Sequence, residues 1–349
     1  MKVPAGERVA VVGGGAWGTA LADLLARGGG SSVRLWAREP EVVESIRERQ
    51  ENAEYLKGLK LCTELRATSS LEGALGGAGV VIWTCPVQYS SALLARAREH
   101  ILPEAIVVSA SKGIEVETLR PMHEILGAHL SPGQSRRVCA LSGPSFASEV
   151  VARVPTAVVA ASRDQAARRQ VQSLFQTNRF RVYTNRDLIG VELGGALKNV
   201  IALAAGVAAG LELGHNTVAA LITRGLAEIG RLGVAMGASA ATFAGLAGMG
   251  DLVLTCTGGA SRNRKVGERL GRGESMEEIM AGINTVAEGV ATAHAVRDLS
   301  RRHGVEMPVS TEVYAIVVQG RDPMEALDRL MTREPTSEAP VASPNPERG

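Results

Sequence analysis

Residues 8–27, RVAVVGGGAWGTALADLLAR, constrain the fold more than any other stretch of the chain. An apolar run rich in valine ends in glycines spaced Gly13-x-Gly15-x-x-Gly18 and passes at once into a segment whose apolar residues recur at helical spacing. Strand, tight turn and helix in that order begin a βαβ unit, because a parallel strand buried on both faces reads as an unbroken apolar run and needs a helix to return the chain. In such a turn the first glycine bends the chain sharply, the second admits a pyrophosphate to the backbone, and the third lets helix and strand pack closely. The helix N-terminus adds free N–H groups for an anion. The segment therefore reads as a dinucleotide-binding turn, the plain alternative being a glycine-rich turn with no ligand.

The pattern repeats. Apolar runs at 8–12, 32–36, 80–84, 105–110, 137–141 and 156–161, each bounded by Gly, Pro or Ser, read as buried strands of a mostly parallel sheet. From about residue 187 the periodicity changes, and long Ala-, Leu- and Gly-rich segments at 193–213 and 218–236 read as helices with no strand alternation. The expected fold is α/β: a Rossmann-like N-terminal domain over 1–187, followed by an all-α substrate-binding domain over 188–331. Residues 332–349, rich in Pro, Ser and Glu, read as a flexible tail because they carry too little apolar surface to order themselves.

At 349 residues the chain is long enough for two cores, and two domains imply a cleft. Its net charge of +2 and the lack of a dense basic run argue against nucleic acid as a partner. The apolar segment 9–25 is broken by glycines and Asp23 and lacks a basic lead, so neither export nor membrane insertion is implied and a cytoplasmic location is expected. Cys62, Cys85, Cys139 and Cys256 lack metal-site spacing, so no metal is expected and the thiols read as reduced. A carboxylate at the end of the second strand would favour NAD by bonding the ribose hydroxyls, but that position offers Arg38, suited to a 2′-phosphate. NADPH is therefore expected to be accepted, with Glu39 leaving dual use open and a solvated arginine as the alternative.

Ten motifs follow in a fixed order: GGGAWGTALA (13–22), LWAR (35–38), YLKGLKL (55–61), SKGIE (111–115), SGPSFA (142–147), LKNVIAL (197–203), ALITRGLAE (220–228), GMGDLVLTC (248–256), SRNRKVG (261–267) and VAEGV (286–290). In these the chain resembles the bacterial-type NAD(P)-dependent sn-glycerol-3-phosphate dehydrogenases, over nearly its whole length except the tail. It departs at Lys57, where a proline is common, and at Ala16, where a serine is common, which leaves Ala16 only its backbone for a ligand. The resemblance implies reduction of dihydroxyacetone phosphate to sn-glycerol 3-phosphate by NADPH or NADH, for phospholipid synthesis. It implies that Ala16, Trp17, Arg38, Tyr55, Lys112, Ala147, Arg262, Val286 and Glu288 hold the cofactor beside the glycine turn. Lys112, Gly143, Ser145, Asp251, Ser261, Arg262 and Asn263 would bind substrate, with Lys198 as the proton acceptor. Oligomeric state, a homodimer included, stays open.

The chemistry accords with these residue types. Oxidation of a secondary alcohol needs a base beside the hydroxyl. Only six of the 38 basic residues are lysine, so a lysine in LKN is notable, and burial with a neighbouring cation such as Lys112 is expected to lower its pKa. Gly194 and Gly195, one turn earlier, are expected to let a ligand approach that helix. A snorkelling helix lysine is the commoner reading of such a residue. Ser261, Arg262 and Asn263 supply a hydroxyl, a guanidinium and an amide at a helix start, an anion site by chemistry and an ordinary capped helix otherwise. Asp251 is read as orienting Lys198 or a glycerol hydroxyl, with a capping aspartate as the rival. Two other functions compete: a related hydroxyacid dehydrogenase, which would need a carboxylate clamp, and a nucleotide-sensing Rossmann protein, which would not need Lys112, Lys198 and Asp251 together.

Overall fold

The computed structural model describes residues 7–29, 31–282, 288–335 and 337–338. The chain divides into two compact units, Met1–Lys112 with Arg120–Val191, and Gly113–Leu119 with Glu192–Gly349.

The first unit is built on one eight-stranded sheet. Its strands are β1 (Glu7–Val12), β2 (Ser31–Trp36), β3 (Arg66–Thr68), β4 (Val80–Trp83), β5 (Ile106–Ser109), β6 (Cys139–Ser142), β7 (Thr156–Ala161) and β8 (Phe180–Asn185). They lie in the order β3-β2-β1-β4-β5-β6-β7-β8. All neighbouring pairs are parallel except β6 with β7. The order reverses between β1 and β4, and in an open α/β sheet the crevice at the carboxyl ends of the strands there is where ligands bind. Helices cover both faces, so Val9, Val11, Leu35, Ile82 and Val108 pack on one side and Val12, Val81, Trp83 and Val107 on the other. Two strands are absent from the sequence reading. β3 has only three residues, and β8 alternates buried Phe180 and Val182 with exposed Arg181 and Tyr183, as an edge strand does.

The second unit is helical. Leu188–Gly210 from Glu192 onward, Gly214–Ala235, Asp251–Thr257, Arg262–Gly271, Glu288–His303, Pro308–Gln319 and Pro323–Met331 are its main helices. Leu188–Gly210 is apolar and long enough to cross a membrane, but 94% of its apolar window is buried inside the protein, so it is a core helix. It packs against Arg262–Gly271 with backbone nearly touching backbone. A β-carbon on Gly206 would lie 2.0 Å from the Arg264 carbonyl oxygen, and one on Gly267 would lie 2.1 Å from that of Leu203. Gly210 and Gly271 repeat the contact one turn on, against the Glu268 and Val207 carbonyls at 2.3 and 2.4 Å. GVAAG and GERLG thus form a reciprocal seam in which four glycines replace the usual side-chain layer between helices.

The expected tail lies largely outside the described residues, beyond the helix that ends at Met331.

Candidate active site

In the first unit the site begins at the turn after β1. Gly13 has a φ of +125°, and a β-carbon there would meet the Thr84 hydroxyl at 2.4 Å. One on Gly18 would lie 2.0 Å from the Gly13 carbonyl oxygen, so these two glycines serve the strand-to-helix packing. Gly15 differs, since no heavy atom lies within 4 Å of its β-carbon position. It caps the Ala16–Arg27 helix without any side-chain hydrogen bond to the helix start. Open space above an uncapped helix N-terminus is what a pyrophosphate requires. The turn is held from three sides: Thr84 Oγ1 donates to the Val12 and Gly13 carbonyls at 3.0 and 3.1 Å, Thr19 Oγ1 donates to the Gly14 carbonyl at 3.3 Å, and buried Asn52 donates through Nδ2 to that same carbonyl and to Thr19 Oγ1, both at 2.8 Å. Asn52 and Thr84 carry no motif in the sequence, and only the folded chain brings them here.

Ala16, Trp17, Tyr55 and Ala147 all pack as partly buried residues against the same side of the sheet. The Trp17 indole nitrogen is buried with no hydrogen-bond partner among the described residues. A dinucleotide fits these features: a cradle left clear at Gly15, free helix-terminal donors and a buried indole N–H. Arg38 follows β2 on the surface. Its guanidinium bonds Glu39 at 2.7 and 3.0 Å, and this carboxylate contact, with Tyr55 and Tyr89 nearby, raises its pKa. Glu39 thus already occupies the group assigned to a 2′-phosphate.

A second cluster forms beyond β5 and β6. The Gly143 carbonyl accepts from Lys112 Nζ at 3.3 Å and from Ser145 Oγ at 2.9 Å, so one backbone oxygen gathers all three residues. Gly143 has a φ of +134°, and a β-carbon there would press on Val158 Cα at 3.0 Å. Ser111 anchors the loop by donating to the Cys85 carbonyl at 2.6 Å.

In the second unit Lys198 is 6% exposed and Asp251 1%. Lys198 Nζ donates to Asp251 Oδ1 at 2.5 Å and to Thr255 Oγ1 at 2.7 Å. Thr255 in turn donates to the Asp251 backbone carbonyl at 2.6 Å, one helical turn earlier. Thr255 is a third member that sequence reading missed, since a threonine four residues past Asp251 gains meaning only when the lysine arrives from another helix. One expectation is corrected. Gly194 admits no ligand, because a β-carbon there would meet the Ala247 carbonyl oxygen at 2.4 Å. It brings the 246–250 turn, and with it Asp251, against the lysine helix.

Ser261 caps the Arg262–Gly271 helix, its Oγ accepting from Arg264 N at 3.2 Å, which leaves its O–H able to donate. Arg262 is exposed and Asn263 buried. Asn263 Oδ1 accepts from Gly289 N at 3.0 Å. A β-carbon on Gly289 would lie 2.8 Å from both Asn263 Oδ1 and the carbonyl oxygen of Asn199, the residue after the lysine. The Lys198 segment and the Ser261-Arg262-Asn263 segment therefore converge on one point. Glu288 heads the Glu288–His303 helix, and Val286 lies outside the described residues.

Residues 8–168 match the N-terminus, and 187–328 the C-terminus, of NAD-dependent glycerol-3-phosphate dehydrogenase. The chain belongs to this family. It is 53% identical over 333 residues to glycerol-3-phosphate dehydrogenase [NAD(P)+] of Geobacter metallireducens, covering 95% of this chain and 99% of that one. The crystal structure of glycerol-3-phosphate dehydrogenase from Coxiella burnetii superposes with a TM-score of 0.89 at 38% identity, covering 95% of this chain and 100% of that one. A D-mandelate dehydrogenase aligns with a TM-score of 0.60 at 12% identity, over 92% of this chain and 99% of that one, which shows a shared fold alone. Membership in the glycerol-3-phosphate dehydrogenase family thus separates this chain from the hydroxyacid alternative, and NAD(P) is the cofactor its relatives' names carry.

Proposed function

We propose that the chain catalyses the reversible reduction of dihydroxyacetone phosphate to sn-glycerol 3-phosphate by NADPH or NADH, with Lys198 as the proton donor in that direction and the acceptor in reverse. The observation that carries the reading is the buried Lys198–Asp251–Thr255 group, whose lysine lies on a helix that meets the Ser261-Arg262-Asn263 turn at Gly289. When bound, the nicotinamide supplies the hydride. The chain's own residues handle the proton and the charge.

As the carbonyl at C2 becomes an alkoxide, a proton must reach its oxygen from a group already in place. Lys198 carries such a proton, and Asp251 with Thr255 holds its Nζ so that little reorganisation accompanies the transfer. The carboxylate also offsets the ammonium charge in a buried setting. Ser261, Arg262 and Asn263 provide O–H and N–H donors for the substrate phosphate at the start of a helix. Lys112, Gly143 and Ser145 supply the remaining substrate contacts, and Lys112 and Arg262 also reach the cofactor. Gly13, Gly15, Ala16, Trp17, Gly18, Arg38, Tyr55, Ala147, Val286 and Glu288 complete the cofactor set. The product is the backbone precursor of phospholipids, and we assign the enzyme to the cytoplasm, where its cofactors and triose phosphates circulate.

The test is NADPH oxidation with dihydroxyacetone phosphate against simple 2-oxo acids of similar size. Turnover with the phosphate ester alone is expected. Equal or faster turnover with an oxo acid overturns the assignment.

A further inference from the structure

We infer that Gly289 is a positioning residue for phosphate recognition, because its backbone N–H fixes which end of the Asn263 amide is offered to the substrate. This rests on the proposed role of Asn263. An amide side chain has one accepting oxygen and one donating NH2, and either can be turned toward a ligand. Gly289 N is a donor 3.0 Å from Asn263, so the atom facing it is the oxygen. The NH2 is then the arm left for an anion.

The arrangement needs glycine for space rather than for backbone freedom. A β-carbon at 289 would lie 2.8 Å from Asn263 Oδ1, 2.8 Å from the Asn199 carbonyl oxygen and 3.0 Å from Leu203 Cδ1. Any side chain would push the amide away and force the Glu288–His303 helix off the lysine helix. The bond also satisfies one of the N–H groups that a helix start leaves without an intrahelical partner. Gly289 follows Glu288 directly, so the orientation of a phosphate donor is set from the first turn of the helix headed by a residue assigned to the cofactor.

Asn263→Asp, Asn263→Ala and Gly289→Ala separate the roles. Aspartate keeps an oxygen for Gly289 N but replaces the NH2 with a negative acceptor. Asn263→Asp is expected to hold a near-native melting temperature while raising KM for dihydroxyacetone phosphate at least a hundredfold, more than Asn263→Ala does. Asn263→Ala is expected to melt lower, because Gly289 N loses its partner. Gly289→Ala is expected to raise KM for dihydroxyacetone phosphate at least tenfold, with KM for NADPH changed less than threefold. An unaltered substrate KM in Asn263→Asp overturns the phosphate role of Asn263 itself. Impaired Asn263 variants beside a Gly289→Ala enzyme of native substrate KM overturn the positioning role and leave the phosphate role standing. Should Gly289→Ala fail to fold, the Asn263 pair decides: equal melting temperatures for the aspartate and alanine variants overturn the bond's part in holding the amide.

Discussion

Alanine at Gly206 is expected to loosen the protein and its catalysis together. The new β-carbon would sit 2.0 Å from the Arg264 carbonyl oxygen, where ordinary contact begins at 3.4 Å, so the two helices must part by roughly 1.4 Å. Neither side of the contact is a movable side-chain tip; both are helix backbone. Overpacking of this kind costs about 1–3 kcal/mol, and alanine returns about 1 kcal/mol through its better helix propensity. Separation also weakens packing around the seam, where Leu203, Val266 and Leu270 are buried, so the net loss should sit near 2 kcal/mol, or about 4–8 °C in melting temperature for a unit of this size. The displaced helix is capped by Ser261, so the proposed phosphate grip moves relative to Lys198 by about 1 Å, a misplacement that can lower turnover as much as 100-fold. Thermal denaturation and steady-state kinetics should be run on Gly206→Ala, Gly267→Ala and, as a control, Gly133→Ala, whose β-carbon position has no atom within 4 Å. A Gly206→Ala enzyme with native melting temperature and native kcat/KM would refute the claim that this seam is rigid.

Lys198→Ala should bind NADPH nearly as the native enzyme does by fluorescence titration while losing about 10²–10⁴ in turnover, since it removes the proton relay and no cofactor contact. Arg38→Ala should weaken NADPH more than NADH, and Glu39→Gln, by freeing Arg38, should lower KM for NADPH at most about fivefold, because an exposed pair is worth up to about 1 kcal/mol; equal effects on both cofactors would remove Arg38 from the 2′-phosphate. Glu228 is buried and accepts from Val309 N, Ser310 N and Ser310 Oγ at the start of the Pro308–Gln319 helix, and desolvation raises its pKa above the ordinary 4.5. A raised folded-state pKa gives stability that is fully present below the unfolded value and is lost as pH rises through the folded one. The stability gap between native enzyme and Glu228→Ala, measured by urea denaturation, should therefore narrow as pH rises upward from about 4.5; a gap that widens over that window would refute the assignment.

What the sequence disclosed follows from how each feature is built. The glycine turn could be read because its three constraints fall within six consecutive residues, and the structure divides them as the chemistry demands: Gly13 and Gly18 face protein atoms and Gly15 faces none. Ser261, Arg262 and Asn263 could be read as a unit for the same reason, and the helix cap weighed there is present at Ser261; what adjacency hid is that Asn263 spends its oxygen on Gly289. Thr255, Asn52 and Thr84 carry no local signal, since each acts on a group 38 to 72 positions away or joins one that does: Thr255 completes the Lys198–Asp251 pair, Asn52 braces Gly14 and Thr84 braces Val12.

Glycine shows most clearly where local reading stops. Gly194 reads in sequence as ligand-facing, and Gly206, Gly267 and Gly289 carry no role there, yet each marks a backbone-to-backbone or backbone-to-amide contact with another segment. Gly194 seats the turn carrying Asp251, Gly206 and Gly267 seat the helix carrying Arg262 and Asn263, and Gly289 seats the helix headed by Glu288. All of these contacts are made on the Leu188–Gly210 helix or one residue from it in space. In the proposed function the Lys198 proton meets a substrate contacted by Asp251 and by the Ser261-Arg262-Asn263 turn, which requires those segments close, and removing side chains from the contacts is the direct physical way to bring helices nearer than the usual 8–10 Å. Gly194, Gly206 and Gly267 therefore set the geometry in which the charged residues act, and substitutions at these three should alter kinetics without replacing any residue that the proposed function places on the substrate.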